Sequence, residues 1–263
     1  MQNDTVITRV CDDGIARVTL ARADKHNAFD DSMIAELREA FDSLAARDEV
    51  RVVILASEGK HFSAGADLNW MRRMAGYDQV RNLQDARLLA DMLQALYALP
   101  QPTIARVQGA AFGGAVGLAS CCDICVAEDS ASFCLSEVRI GLIPATISPY
   151  VIRAIGERAA RRYFTTAERF SAAEAQRLGL VSQVVGAGDL DAAVEALTGA
   201  IMENGPHAVR RAKRLLNDVA GRDLSPALIA HTCEEIAQIR VSEEGQEGLD
   251  AFLNKRAPNW VRH

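Results

Sequence analysis

Two short glycine-bearing segments, Phe62-Ser63-Ala64-Gly65-Ala66-Asp67-Leu68 and Gly109-Ala110-Ala111-Phe112-Gly113-Gly114-Ala115, carry the clearest chemical signal in the chain. Each lies beside an apolar, β-like run: Val52-Val53-Ile54-Leu55-Ala56 for the first and Thr103-Ile104-Ala105-Arg106-Val107 for the second. Glycine where a strand ends lets the backbone turn tightly and lets a ligand approach peptide N–H groups closely. Two such turns brought together would aim a pair of fixed donors at an oxygen that gains negative charge during a reaction. Losing one donor of that kind typically costs about 3–4 kcal/mol in the barrier. Either turn alone is equally well an ordinary β-to-α connection, so the signal lies in the pair.

Other chemistry is less well supported. Among six cysteines, Cys122 and Cys125 form a C-x-x-C with Cys121 and Cys134 close by. The stretch Asp123-Ile124-Cys125-Val126-Ala127 reads as a buried strand, whose side chains alternate between faces, and no second pair with histidines completes a metal set. These thiols are therefore expected to pack as small apolar side chains, with no metal bound. The net charge of −6 argues against nucleic acid as the main partner. The basic run Arg210-Arg211-Ala212-Lys213-Arg214 reads as one solvated helix face. The start Met1-Gln2-Asn3-Asp4-Thr5 lacks the basic and apolar regions of a secretory signal. The nearly uncharged residues 107–122 are too few and too glycine-rich to span a membrane. A soluble, cytoplasmic protein is expected.

Positioning the two turns requires a framework. Residues 6–10 and 15–20 read as a hairpin across Asp13-Gly14. Asp30 or Asp31 can cap a helix to about residue 46, with Met33, Ile34, Leu37, Phe41 and Leu44 at helical spacing. Residues 83–99 read as a helix with a stripe of Leu88, Leu89, Met92, Leu93 and Leu96, stopped by Pro100 and Pro102. Strands at 103–107 and 123–127 bracket the second turn and a short helix at 114–120, and residues 132–135 extend the strand-rich pattern. Such alternation predicts repeated β/α units with parallel pairing. After Pro149 the chain reads as helices at 157–166, 172–178, 190–203, 207–219, 227–240 and 243–254. The expected plan is an α/β core over residues 1–190 and a helical module over 191–263 that packs on the core and on neighbouring subunits.

Together these motifs resemble the crotonase, or enoyl-CoA hydratase/isomerase, superfamily. The resemblance rests on Lys25-His26-Asn27-Ala28-Phe29, the two glycine segments, Cys122-Asp123-Ile124 and Glu137-Val138-Arg139-Ile140-Gly141-Leu142-Ile143-Pro144. It continues through Ala172-Ala173-Glu174-Ala175-Gln176-Arg177-Leu178-Gly179-Leu180-Val181 and Phe252-Leu253-Asn254-Lys255-Arg256-Ala257-Pro258-Asn259-Trp260. It implies a spiral of repeated β-β-α units, a helical trimerisation region, a homotrimer or homohexamer, and a coenzyme A thioester as substrate. Coenzyme A arrives as part of that substrate, so no separate cofactor is implied.

By motif position, the resemblance implies that the N–H groups of Ala66 and Gly114 hold the thioester oxygen and that Glu137 moves the proton. Apolar neighbours Phe133, Leu135 and Val138 would raise the Glu137 pKa towards the range useful for that work. Lys25 and His26 would meet the adenine and phosphates. Ala28, Ala64, Asp67, Leu68, Gly113, Gly141 and Pro144 would line the substrate channel. Lys255, with Arg256, would reach a phosphate, in one version from a neighbouring subunit.

The chain departs from relatives in one respect. Gly117 stands where well-known hydratases of this family carry a second glutamate, three residues after the oxygen-holding glycine. Three readings follow: hydration managed by Glu137 alone, double-bond isomerisation with Glu137 shuttling a proton between C2 and C4, or acyl-CoA binding without turnover. Hydration is favoured because the site motifs, with Pro144-Ala145-Thr146-Ile147-Ser148-Pro149-Tyr150, resemble bacterial methylglutaconyl-CoA and carboxygeranoyl-CoA hydratases. A branched substrate with a distal carboxylate would then meet a basic side chain, for which Arg72, Arg73 and Arg139 are candidates.

Overall fold

The computed structural model describes residues 5–261, so that residues 1–4 of the N-terminal reading lie outside the described part. The chain begins β1 (Val6–Val10), β2 (Ile15–Leu20), α1 (Asp31–Ala45), β3 (Val52–Ser57), α2 (Leu68–Met74) and α3 (Gln79–Tyr97). It continues through β4 (Thr103–Val107), β5 (Ala110–Phe112), α4 (Gly114–Cys121), β6 (Ile124–Glu128), β7 (Ser132–Cys134) and α5 (Ser148–Thr166). It ends with β8 (Phe170–Ser171), α6 (Ala172–Leu178), β9 (Gln183–Val185), α7 (Leu190–Met202), α8 (Pro206–Val219), α9 (Pro226–Arg240) and α10 (Glu243–Leu253).

A six-stranded sheet runs in the order β1-β2-β3-β4-β6-β9, parallel from β2 onward and closed by the antiparallel β1–β2 hairpin. A parallel strand covered on both faces must be apolar along its whole length, and β3 is buried at every position. Val53 and Leu55 join Met33 and Leu37 of α1 and Met92 and Leu93 of α3. Val52, Ile54 and Ala56 turn the other way onto Leu190 and Val194 of α7.

A second sheet, β5-β7-β8, stands beside the first. The chain alternates between the two. After β4 it enters β5 and then α4, and after β6 it enters β7 before α5. After β3 it makes an isolated parallel bridge to the small sheet, Ser63 to Ala111, and another to Phe29 at Ala66, before α2. Each unit is thus a strand of the large sheet, a strand or bridge of the small one, and a helix. This is the repeated β-β-α plan, and it brings both glycine segments to the crossing between the sheets.

Several boundaries differ from the sequence-based expectation for identifiable reasons. Asp30 caps α1 by accepting from the Met33 amide at 2.9 Å. Asp78 caps α3 in the same way, which starts that helix at Gln79 rather than at residue 83. Pro149 sits in the first turn of α5 instead of ending the preceding region, since proline is well suited to a first helical turn. The expected start at 157 marks the second half of α5, past a break where Gly156 takes φ 76° and ψ 156°.

The run 210–214 also requires a correction. Arg210 donates to the Val50 carbonyl at 2.9 Å. Lys213 is only 9% exposed and pairs with Asp123 at 2.6 Å while donating to the Gln101 carbonyl at 2.9 Å. These side chains bolt α8 to the large sheet at the ends where β3, β4 and β6 begin, so the run is an anchor rather than a solvated face. Only Arg214 fits the earlier reading, at 70% exposed. The buried thiols pack as expected of small apolar groups: burial pushes Cys125 up to about 12 and raises Cys121 well above its ordinary value. Among the described residues no helix is long and apolar enough to cross a membrane.

Removing the Lys213 ammonium takes away the counter-charge of Asp123, which keeps its hydrogen bonds from Thr103 and partial contact with water. Lys213→Met is expected to lower unfolding stability by about 2 kcal/mol, read as a fall in the urea midpoint, whereas Arg214→Met stays within about 0.5 kcal/mol.

Candidate active site

The first glycine segment is held from both sides by backbone hydrogen bonds. On one side, the Phe29 amide donates to the Gly65 carbonyl at 2.8 Å, the Asp67 amide donates to the Phe29 carbonyl at 2.7 Å, and the Ala64 amide donates to the His26 carbonyl at 3.0 Å. On the other, the Ser63 amide donates to Ala110 and the Phe112 amide donates to Ser63, both at 3.0 Å. Gly65 takes φ 108°, open only to glycine at low cost. Within this clamp the Ala66 amide has no hydrogen-bond acceptor among the described residues. Burial alternates along the segment: Ala64, Ala66 and Leu68 are exposed, and Gly65 and Asp67 are buried.

The second segment leaves another amide free. Gly113 takes φ 56° and ψ −120° and donates to the Cys134 carbonyl of β7 at 2.8 Å. Gly114 is the first residue of α4, where helix geometry provides no internal partner for the amide. The positive end of the helix dipole adds to its donor strength. Phe29 joins the two amides: its backbone pairs around Ala66, and a methyl placed on Gly114 would lie 3.6 Å from its ring.

Glu137 completes the group. It opens a short 3-10 turn, Glu137–Ile140, just beyond β7. A methyl at Gly113 would lie 3.2 Å from its carboxyl oxygen, so the carboxyl rests beside the residue preceding the Gly114 amide. Its Oε2 is buried and has no hydrogen-bond partner. Burial pushes the Glu137 pKa up, with only a backbone hydrogen bond opposing it.

No second carboxylate faces it from α4. A Cβ at Gly117 would fall 2.3 Å from one methyl of Ile147 and 2.8 Å from its Cβ. Ile147, 2% exposed, fills the space a longer residue would need. The sequence marks Ala145-Thr146-Ile147-Ser148 as a segment that reshapes the pocket but does not pair Ile147 with Gly117, for which the bare helix face was the available sign.

The remaining candidates separate into groups. Lys25, about half exposed, lies 3.9 Å from the Asp67 carboxylate. His26 takes the left-handed conformation and sets its ring edge-on to His61 at 5.2 Å. Ala28 is half-buried beside them. Asp67 caps α2 through the amides of Asn69 and Trp70 and pairs with Arg22 at 3.2 Å. Burial works against its charge, but those amides with Arg22 and Lys25 hold its carboxyl below the usual range. Gly141 ends the 3-10 turn in the left-handed region and is exposed, while Pro144 is buried.

Lys255 is not brought to this group within the chain. Arg256 is paired with Glu247 and Asp250, and the Trp260 carbonyl accepts from Arg51 at 3.2 Å, at the opposite end of β3 from Phe62. The candidate arginines all have partners: Arg72 donates to Asn69, Arg73 pairs with Asp31, and Arg139 donates to the Ala167 carbonyl.

Two free amides, with a carboxyl of raised pKa against Gly113, are an arrangement suited to acid–base chemistry on a carbonyl compound whose oxygen gains charge. Comparison with known proteins agrees with that class. The family described as enoyl-CoA hydratase/isomerase matches residues 11–263. A solved enoyl-CoA hydratase from Shewanella pealeana is 48% identical, with TM-score 0.95, covering 98% of this chain and 97% of that one. One from Mycobacterium smegmatis is 34% identical, with TM-score 0.92, covering 97% and 98%. An enoyl-CoA hydratase/isomerase from Marinobacter aquaeolei is 31% identical, with TM-score 0.92, covering 98% and 99%. The chain belongs to the enoyl-CoA hydratase/isomerase family of the crotonase superfamily.

The raised Glu137 pKa has a consequence for stability. The folded state holds this proton more tightly than the unfolded chain, so the group is neutral without penalty below the unfolded value of about 4.3. Stability is lost as pH rises from there through the folded value. Glu137→Gln removes that loss, so its Tm is expected to exceed the wild-type Tm at neutral pH and to match it near pH ~4. Thermal melts across that range check the crossover.

Proposed function

We propose that this chain hydrates the 2,3 double bond of an enoyl-CoA thioester, with Glu137 as its single acid–base group. In this reading the amides of Ala66 and Gly114 donate to the thioester oxygen. Water bound to the Glu137 carboxylate adds its oxygen to C3 and gives a proton to the carboxylate. The electron pair of the double bond moves towards the thioester, where the two amides stabilise the enolate oxygen. Glu137 then returns its proton to C2, and the carboxylate is regenerated. Fixed donors of this kind act without reorganising as charge develops, and a carboxyl poised by burial serves both proton steps. The observation that carries the reading is the Glu137 carboxyl, whose Oε2 is buried without a partner and whose Oε1 lies against Gly113, the residue before the free Gly114 amide.

A second reading is favoured by Ile147 covering Gly117. A wall without a second carboxylate suits proton transfer from C4 to C2, which needs no water. Binding without turnover remains the third outcome. Mass-resolved assays with straight, branched and carboxylated enoyl-CoAs separate them. Hydration gives a product heavier by one water and loss of the conjugated thioester absorbance. A product of unchanged mass with a moved double bond supports isomerisation, and binding with no product supports a carrier. A carboxylated substrate preference would assign its recognition to Arg139, two residues from Glu137, or to Arg72 or Arg73. Glu137→Gln is expected to lower kcat by about 10³-fold with acyl-CoA affinity nearly unchanged; wild-type turnover in that variant rejects the assignment.

For coenzyme A, we propose that Lys25 and His26 meet the phosphates, with Ala28, Ala64, Asp67, Leu68, Gly113, Gly141 and Pro144 along the channel and Lys255 supplied by a neighbouring copy. A trimer or hexamer fits the apolar surface of the C-terminal helices, where Phe252 is 81% and Leu253 75% exposed. Light scattering on the purified protein is expected to give three or six copies, and a monomer at micromolar concentration contradicts the assembly.

A further inference from the structure

His61 lies outside the residues assigned so far, yet it touches both glycine segments. The parallel bridge between Ser63 and Ala111 places the Ala110 amide where the carbonyl of residue 61 would ordinarily receive it. That carbonyl is already taken, accepting from Asn27 Nδ2 at 2.9 Å and from the Ser57 hydroxyl at 3.2 Å. The His61 ring supplies the missing acceptor instead: the Ala110 amide donates to Nδ1 at 3.1 Å. Since Nδ1 accepts, the neutral ring carries its proton on Nε2.

Nothing else can readily take this place. The strand leading into β5 approaches so closely that a Cβ on Gly109 would lie 2.2 Å from the Lys60 carbonyl and 2.7 Å from His61 Nδ1. Ala110 is itself buried. Three residues beyond its partner amide lies Gly113, and then Gly114. We propose that His61 is a positioning residue, whose neutral Nδ1 holds β5 against the first glycine segment and thereby sets the Gly114 amide relative to the Ala66 amide.

Adding a proton to Nδ1 turns the acceptor into a donor facing another donor, and the contact must open. The protein resists this: burial first, then the nearby His26 and Lys60, hold the ring below the usual histidine value. His26 lies in the turn after β2 and Lys60 beside the ring in sequence, while β5 contributes only Ala110, Ala111 and Phe112, none ionisable. Because the unfolded chain protonates at about pH 6.5 and the folded ring lower, stability falls between those two values as pH drops. The site is thus set for neutral pH by a group that takes no part in the proton transfer.

The catalytic consequence rests on the reading of Ala66 and Gly114 as oxygen-holding donors, while the link from His61 to Ala110 does not. The test is a nitrogen-resolved NMR titration of the full chain, paired with pH profiles of His61→Ala and His61→Asn, the latter placing Oδ1 where Nδ1 was. The Ala110 amide resonance is expected to follow the His61 ring, with a midpoint below about 6.5, and to show no such step in His61→Asn. His61→Ala is expected to lose about tenfold in kcat/KM, the effect of one missing hydrogen bond. His61→Asn restores most of it and removes one proton from the acid limb, leaving that of Glu137. An Ala110 resonance indifferent to the ring overturns the link even if His61→Ala fails to fold. Wild-type kcat/KM in a folded His61→Ala overturns the positioning role. Absence of turnover in the wild-type enzyme counts against the proposed reaction alone, because the NMR result stands apart from it.

Discussion

Most backbone amides in a folded chain find an acceptor, and the candidate site rests on two that do not, those of Ala66 and Gly114. Leaving a donor without a protein partner is tolerated only where water or a ligand reaches it. The chain therefore has to satisfy every neighbouring group while withholding two. At Ala66 this is done by pairing residues on both sides, Gly65 and Asp67 with Phe29, and Ser63 with the β5 strand. At Gly114 the start of a helix does it without further help. The repeated β-β-α plan explains why the two meet. Successive units place equivalent loops side by side, and the small sheet is the means by which one loop is registered against the next.

The carboxyl obeys the same logic with the opposite sign. Glu137 buries one oxygen without a partner, and that burial pushes its pKa up from the ordinary carboxylate value. A surface glutamate would stay charged and be a weak base at neutral pH. Ile147 against Gly117 leaves no space for a longer side chain on that face of α4. The contrast with Asp67 is instructive, since amides of α2 and Arg22 fully occupy that carboxylate and hold it charged.

Much of this was legible in the sequence because it is written in residue types with strong local meaning. The glycines of both segments, the Asp30 cap, the apolar strands and the helices α6 and α10 declare themselves through short-range rules. What was not legible depended on distance. The seven-residue α2 and the short strands β8 and β9 have too few residues for a periodic signal. The anchoring role of Arg210 and Lys213 is visible only once Val50, Gln101 and Asp123 are beside α8. His61 carries no motif at all, because its use follows from its own carbonyl being taken by Asn27. The placement of Lys255 away from Lys25 within one chain likewise follows from Arg51 tethering the tail at the far end of the sheet.

The central claim is that two backbone amides polarise the carbonyl of a bound thioester. Isotope-edited infrared spectroscopy of an enoyl-CoA labelled at that carbonyl, bound to the Glu137→Gln variant so that no turnover intervenes, reads this directly. The carbonyl stretch is expected to move to lower frequency than in water, as two aligned donors withdraw electron density from the double bond. A bound thioester whose stretch stays at the aqueous frequency, or rises as it would in an apolar pocket, contradicts the account.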